Sequence, residues 1–192
     1  MDDFFVEMKL ADTGESLLTF SNLIQGIVPV EAFSRVVDWN AERNELEFHP
    51  TLEEEMLAEE LAEYWQAKTL IDKLDAILDF AFVAVGTLVK QSKNNADEIG
   101  SGMAANFQIA MTDFISRCKR DGLADAAIRE LFHKGFVIVC EANEQKSAQK
   151  KENGKIAKPK DFVGPEQKLT ELYNELKENP PMEPMPPFMR GQ

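Results

Sequence analysis

Six carboxylates recur at helical spacing in a short stretch of the chain: Glu59, Glu60 and Glu63, then Asp72, Asp75 and Asp79. Side chains three or four positions apart share one face of a helix. Each trio therefore projects to one side of its own helix, and two such helices joined near Lys68 must pack antiparallel or at a sharp angle. Asp75 and Asp79 enter a strongly apolar run that contains Leu74, Ile77, Leu78, Phe80 and Phe82. A carboxylate buried there without a partner is costly and tends to be neutralised. Six acids gathered between two helices repel one another, and bound cations would make the arrangement favourable. Oxygen-only ligands suit Mg²⁺ or Mn²⁺ and not zinc. The chemistry that follows is metal-assisted attack of water on a phosphate chain, with one carboxylate left to orient or deprotonate the water. The competing reading is that Glu59 and Asp72 are surface acids and that Asp75 alone is buried, against an Arg or Lys.

The elements that position these acids are helices. Apolar residues recur at i, i+3 and i+4 through most of the chain, and no period-2 alternation persists. The pattern predicts a short helix over Ser16 to Gly26. A second, opened by Pro29, carries Phe33, Val36, Val37 and Trp39 to about residue 43. A third starts at Pro50 and Thr51 and runs to about Lys68, with Thr51 and Glu54 spaced as a capping box. The fourth, Thr69 to about Ser92, is apolar nearly all round its middle, which predicts the central helix of a bundle. After a loop at Asn94, Asn95 and Gly100 to Gly102, helical spacing returns over Met103 to Arg120 and, beyond Asp121-Gly122, over Leu123 to about Glu144. Pro165 to Lys177 can form a last short helix.

The expected fold class is all-α, a helical bundle with an irregular C-terminal extension. Residues 1–29 are an N-terminal extension with a short helix, 30–145 the bundle, and 146–192 a basic loop, a short helix and a proline-rich tail. The basic loop holds Lys146, Lys150, Lys151, Lys155, Lys158 and Lys160. It reads either as a solvated loop or as a phosphate-facing segment in an otherwise acidic protein. Pro180 to Pro187 suit extended polyproline II.

Composition bounds the partners. With 192 residues and 44% hydrophobic content the chain suits one domain with a tail. A net charge of −13 argues against a general nucleic-acid binder. The opening MDDFFVEMKL has no signal-peptide pattern, and the run Phe80 to Gly86 is too short to span a bilayer, so a cytoplasmic protein without membrane contact is expected. Cys118 and Cys140 read as reduced thiols, and His49 and His133 give no zinc spacing.

The motif Glu59-Glu60-x-x-Glu63, followed by Asp75-Ala76-x-x-Asp79 in an apolar helix that ends Val85-Gly86-Thr87, resembles the all-α nucleoside triphosphate pyrophosphohydrolases. These include the MazG proteins, the dimeric dUTPases and the phosphoribosyl-ATP pyrophosphohydrolases. The closest likeness is to the small MazG-like proteins of bacteria and their phages, which carry a later Asn-x-x-Lys segment and a Gly-Lys-rich loop. Here those look like Asn143 to Lys146, then Asn153-Gly154-Lys155 and Lys158. The likeness covers roughly residues 30 to 165.

The resemblance implies Mg²⁺-dependent cleavage, with Mn²⁺ as a substitute, of an NTP or dNTP to its monophosphate and pyrophosphate by a homodimer or homotetramer. It assigns Glu60, Glu63, Asp72 and Asp75 to the metal, with Asp79 as the alternative to Asp72. Glu59 or Glu60 is the catalytic acid that binds metal or orients water. Asn143, Lys146 and Lys155 are placed near the nucleotide, with Lys146 offsetting phosphate charge. Two departures stand out. Asp72 occupies a position where the family usually has Glu, and the spacing from Glu63 to Asp72 is shorter than usual, which demands a tight turn near Gln66 to Thr69. They motivate a second expectation, a helical scaffold that kept the bundle and lost catalysis. A third, a phosphoribosyl-ATP pyrophosphohydrolase, is disfavoured by the terminal extensions.

Overall fold

A computed structural model describes residues 23–43, 46–94, 101–146 and 156–181. All regular secondary structure among them is helical: α1 (Val30–Glu42), α2 (Pro50–Gln66), α3 (Leu70–Asn94), α4 (Ser101–Arg120), α5 (Asp125–Glu144) and α6 (Glu166–Glu178). This is the expected all-α bundle. Most of the expected Ser16 to Gly26 helix, Lys150, Lys151, Lys155 and the proline tail from 182 onward lie outside the described residues.

The hydrophobic pattern explains why α3 is central. Leu74, Ile77, Leu78, Phe80, Ala81, Phe82, Ala84 and Val85 are all buried, so every face of its middle needs a neighbour. It packs against each of the other five helices. Phe80 stacks on Phe107 of α4 with centroids 4.0 Å apart, and Trp39 of α1 meets Phe82 edge-on at 5.2 Å. α5 approaches closely at Gly135, where an added Cβ would lie 2.9 Å from Leu78 Cδ1 of α3 and 3.4 Å from Leu169 Cδ2 of α6. The missing side chain thus lets three helices meet beside the lower half of α3.

α2 and α3 form an antiparallel hairpin. As α2 advances its partners on α3 recede: Glu53 meets Thr87 and Lys90, whereas Tyr64 meets Lys73. The turn is the tight one the short spacing demands, Ala67 to Thr69. Lys73 secures it, donating to the Tyr64 carbonyl at 2.8 Å with its ammonium 4.2 Å from the Tyr64 ring centroid.

One cap falls elsewhere than expected. α2 has Pro50 as its first residue and His49 as N-cap, and no side chain caps it. Thr51 is therefore inside the helix and makes no capping box with Glu54. The capping box forms at α3: the Asp72 amide donates to Thr69 Oγ1 at 3.0 Å, and the Thr69 amide donates to Asp72 Oδ2 at 3.3 Å. Gly122, at φ 95°, closes α4. The Gly122 amide reaches the Lys119 carbonyl and the Leu123 amide the Cys118 carbonyl, a Schellman ending that only a residue at ease in the left-handed region makes cheaply.

Candidate functional site: a carboxylate centre between two helices

The acids of α2 and α3 converge where the hairpin faces the C-terminal end of α5. Glu60, Asp75 and Asp79 are partly buried, and Glu59, Glu63 and Asp72 are exposed. Asp75 and Asp79 are one turn apart on the face of α3 that looks toward α2. Burial is the main force on all three inner acids. It pushes Glu60 up to about 8, with the charges of Asp79, Glu63 and Glu59 adding to the rise. It pushes Asp75 up to about 8 as well, helped by Asp79 and Glu166. Asp79 is raised by burial and drawn back by Lys146, Asn143 and Lys158. The charge of Asp79 acts on both Glu60 and Asp75, so the three titrate as a coupled group.

Two oxygens are unusual. Glu60 Oε2 and Asp75 Oδ1 are buried and accept no hydrogen bond. An ionised carboxylate oxygen in that state is expensive, and natural structures tolerate few of them.

The positive side of the centre comes from α5. Asn143 is buried, donates from Nδ2 to the Val139 carbonyl at 3.1 Å and makes a long 3.5 Å contact with Asp79 Oδ1. Lys146 Nζ donates to Asn143 Oδ1 at 2.6 Å. Burial lowers the Lys146 pKa, and Asp79, Glu60 and Asp75 oppose that fall. Among the described residues Lys146 is thus the one cation whose charge lowers all three inner acids. Lys155, the third residue expected near the nucleotide, lies outside the described residues.

Comparison with protein-family models, with curated proteins and with solved structures finds no match. The functional reading therefore rests on this geometry and on the resemblance of the motifs.

An open cleft of about 340 Å³ adjoins the centre, lined among others by Glu63, Gln66, Lys68, Asp72, Asp75 and Glu166. Asp72 is at this mouth, with Oδ2 turned to the Thr69 amide. Asp79, in contrast, is tied electrostatically to Glu60, Asp75 and Lys146. Among the described residues no three His, Cys, Asp or Glu side chains already stand at metal-binding geometry. The acids are near enough to raise one another's pKa, and side-chain rotation would have to bring their oxygens onto a shared cation.

Sequence spacing alone missed two contributors, whereas Lys158, which acts on Asp79, belongs to the basic loop already marked in the sequence. Glu166, the first residue of α6, comes from the C-terminal extension. The second is a clamp from α1. Trp39 Nε1 donates to the Asn143 carbonyl at 2.9 Å, and Arg43 Nη2 donates to the Lys146 carbonyl at 2.6 Å, with the guanidinium 4.3 Å from the Trp39 ring centroid. Arg35 adds a two-pronged pair to Glu144, both contacts 2.7 Å. Carbonyls at a helix C-terminus lack intrahelical donors, so these donors fix the end of α5 that carries Asn143 and Lys146. The only local signal for the clamp was Trp39 itself, which its spacing placed among core residues.

Proposed function

We propose that this protein is a divalent-cation-dependent nucleotide pyrophosphohydrolase, cleaving an NTP or dNTP to the monophosphate and pyrophosphate. The observation that carries the reading is the pair of buried, unpartnered carboxylate oxygens of Glu60 and Asp75, facing Asp79 and Lys146. Burying such oxygens is favourable only if protons or cations compensate them. Their hard oxygen chemistry fits Mg²⁺ or Mn²⁺, which Glu60, Glu63, Asp75 and Asp79 would hold. A bound Mg²⁺ supplies Lewis-acid polarisation of phosphoryl oxygens and neutralises charge on the leaving pyrophosphate.

The chain's own residues supply the rest. Lys146, fixed through Asn143 and the α1 clamp, offsets phosphate charge as a compact ammonium. Asn143 holds that lysine and faces Asp79. Glu59, exposed on the turn of α2 beside Glu60, orients the attacking water and takes its proton as the new P–O bond forms and the phosphoanhydride P–O bond breaks. Asp72 stays at the cleft mouth as part of the α3 cap. Assembly as a dimer or tetramer belongs to the same proposal, and half-exposed Trp65 and Ile109 offer apolar surface for it.

The test is product analysis. The full-length protein with Mg²⁺ and a panel of nucleotides should release equal amounts of pyrophosphate and monophosphate. Asp75→Asn and Glu63→Ala should abolish release. A wild-type protein that turns over none of the panel would exclude the reading. The absence of a ready-made cage among the described residues, and the diversion of Asp72 to capping, favour one alternative: a bundle of this type that has lost catalysis.

A further inference from the structure

The end of α5 carries a second tether besides the clamp from α1. Gln145, the C-cap of α5, pairs with both backbone polar groups of residue 163. Its Nε2 donates to the Val163 carbonyl at 3.3 Å, and the Val163 amide donates to its Oε1 at 3.2 Å. The pair needs a side chain that both donates and accepts, which an amide supplies and an ammonium or ionised carboxylate does not. The Val163 side chain is 61% exposed, so this pair and not apolar packing holds the chain at that point. The segment before it folds back on itself. The Phe162 amide reaches the Pro159 carbonyl at 3.2 Å, and the Lys158 ammonium lies 4.7 Å from the Phe162 ring centroid. The segment after it is anchored by α6, through buried Leu169 and through Lys168, which meets Glu141 of α5 at 2.6 Å.

The tethered segment brings Lys158 within electrostatic reach of Lys146, the residue after Gln145. The charge of Lys158 draws Asp79 down, and it lowers Lys146 as well. Two ammoniums brought together repel, and an anion that meets both removes the conflict. We propose that Gln145 is a positioning residue, which clips residues 157–163 to the end of α5 so that Lys158 joins Lys146 in holding a polyphosphate chain. The inference rests on the pyrophosphohydrolase reading for the presence of that chain. It adds a second phosphate-binding ammonium and the side chain that presents it. Lys158 acts on the ligand directly, and Gln145 acts only through Lys158. A plain alternative exists, in which Lys158 offsets Asp79 and Gln145 merely steadies the segment. That role predicts a lower melting temperature on substitution and no change in phosphate affinity.

Calorimetric titration of the full-length protein with inorganic triphosphate in the presence of Mg²⁺ separates the two. Lys158→Gln should weaken binding about tenfold, the loss of one charge-assisted contact. Gln145→Met, which keeps the side-chain length and loses both hydrogen bonds, should weaken it in the same direction by less. In a Lys158→Gln background the same Gln145→Met change should add nothing, because its effect passes through the missing ammonium. Lys160→Gln, which removes the same charge from the same segment, should leave binding unchanged. Equal affinity in wild type and Lys158→Gln, an equal loss in Lys160→Gln, or an additive loss in the double variant overturns the inference while the pyrophosphohydrolase reading stands. Wild type that binds no triphosphate overturns it as well, and the nucleotide panel then judges that reading by itself.

Discussion

The α2–α3 hairpin buries acid at two places, and the two are treated in opposite ways. Near the open end Glu53 is almost fully enclosed, and both its oxygens are used. Lys90 Nζ donates to Oε1 at 2.8 Å and Thr87 Oγ1 to Oε2 at 2.7 Å. Half a helix further toward the turn Glu60 and Asp75 each leave an oxygen buried without a donor. The helices are the same and so is the chemistry of the groups, so burial alone does not distinguish a functional carboxylate. The difference lies in whether the fold supplies the partners. Glu53 is a structural ion pair complete in the chain itself. The Glu60–Asp75–Asp79 group is complete only with protons or with something brought from solution.

The largest expected effect lies at the completed pair. Glu53→Ala strands the Lys90 ammonium in the core and should cost about 3–5 kcal/mol in denaturant unfolding, whereas Glu53→Leu combined with Lys90→Met should recover most of it. At the incomplete group the sign should reverse. Glu60→Gln, which removes charge and keeps shape, should stabilise the metal-free protein at pH 8 by about 1–2 kcal/mol while removing turnover. If Glu60→Gln destabilises as Glu53→Ala does, the two sites are alike and the contrast fails.

A pH series sharpens the same point. Glu60 and Asp75 are raised from ordinary carboxylate values to about 8. Between those limits the native state holds protons that the unfolded state has released, so stability falls as pH rises. The metal-free protein should therefore lose melting temperature from about pH 4.5 to pH 8 and level off above it. The fall should be shallower in Asp75→Asn. A wild-type melting temperature that is flat or rises across this window would show that the acids are ordinarily ionised. The smallest effect concerns the turn between the two sites. Thr69→Ala removes the hydroxyl that accepts from the Asp72 amide and should cost about 1 kcal/mol, leaving the Asp72 contact to the residue 69 amide and the Glu53 pair unaltered.

Much of this arrangement was legible in the sequence. The 3.6-residue period gave the helices, and the apolar middle of α3 marked it as central because no partly exposed helix tolerates apolar residues on every face. The spacing of Glu59 to Asp79 located the acid centre, since that pattern is local. The capping role of Asp72 was not legible, because it turns on Thr69 at the start of α3, one residue from where a helix start could equally fall. The misplaced capping box at Thr51 has the same origin: with His49 as N-cap and Pro50 as first residue, the helix starts two positions earlier. Glu166 and the Trp39–Arg43 clamp were hidden for a different reason. Each acts across more than eighty residues of sequence, through docking that depends on Gly135 and on the end of α5, and no periodicity encodes such a meeting.

The central claim, that the incomplete group is a cation site, is tested most directly by thermal unfolding at pH 8 with and without saturating Mg²⁺, for wild type and for Asp75→Asn. A ligand at about 100 times its Kd stabilises by about 2.7 kcal/mol, which for a chain of this size is roughly 5–10 °C. The account predicts that rise in the wild type and its loss in Asp75→Asn. No rise in the wild type, or an equal rise in both, would contradict it.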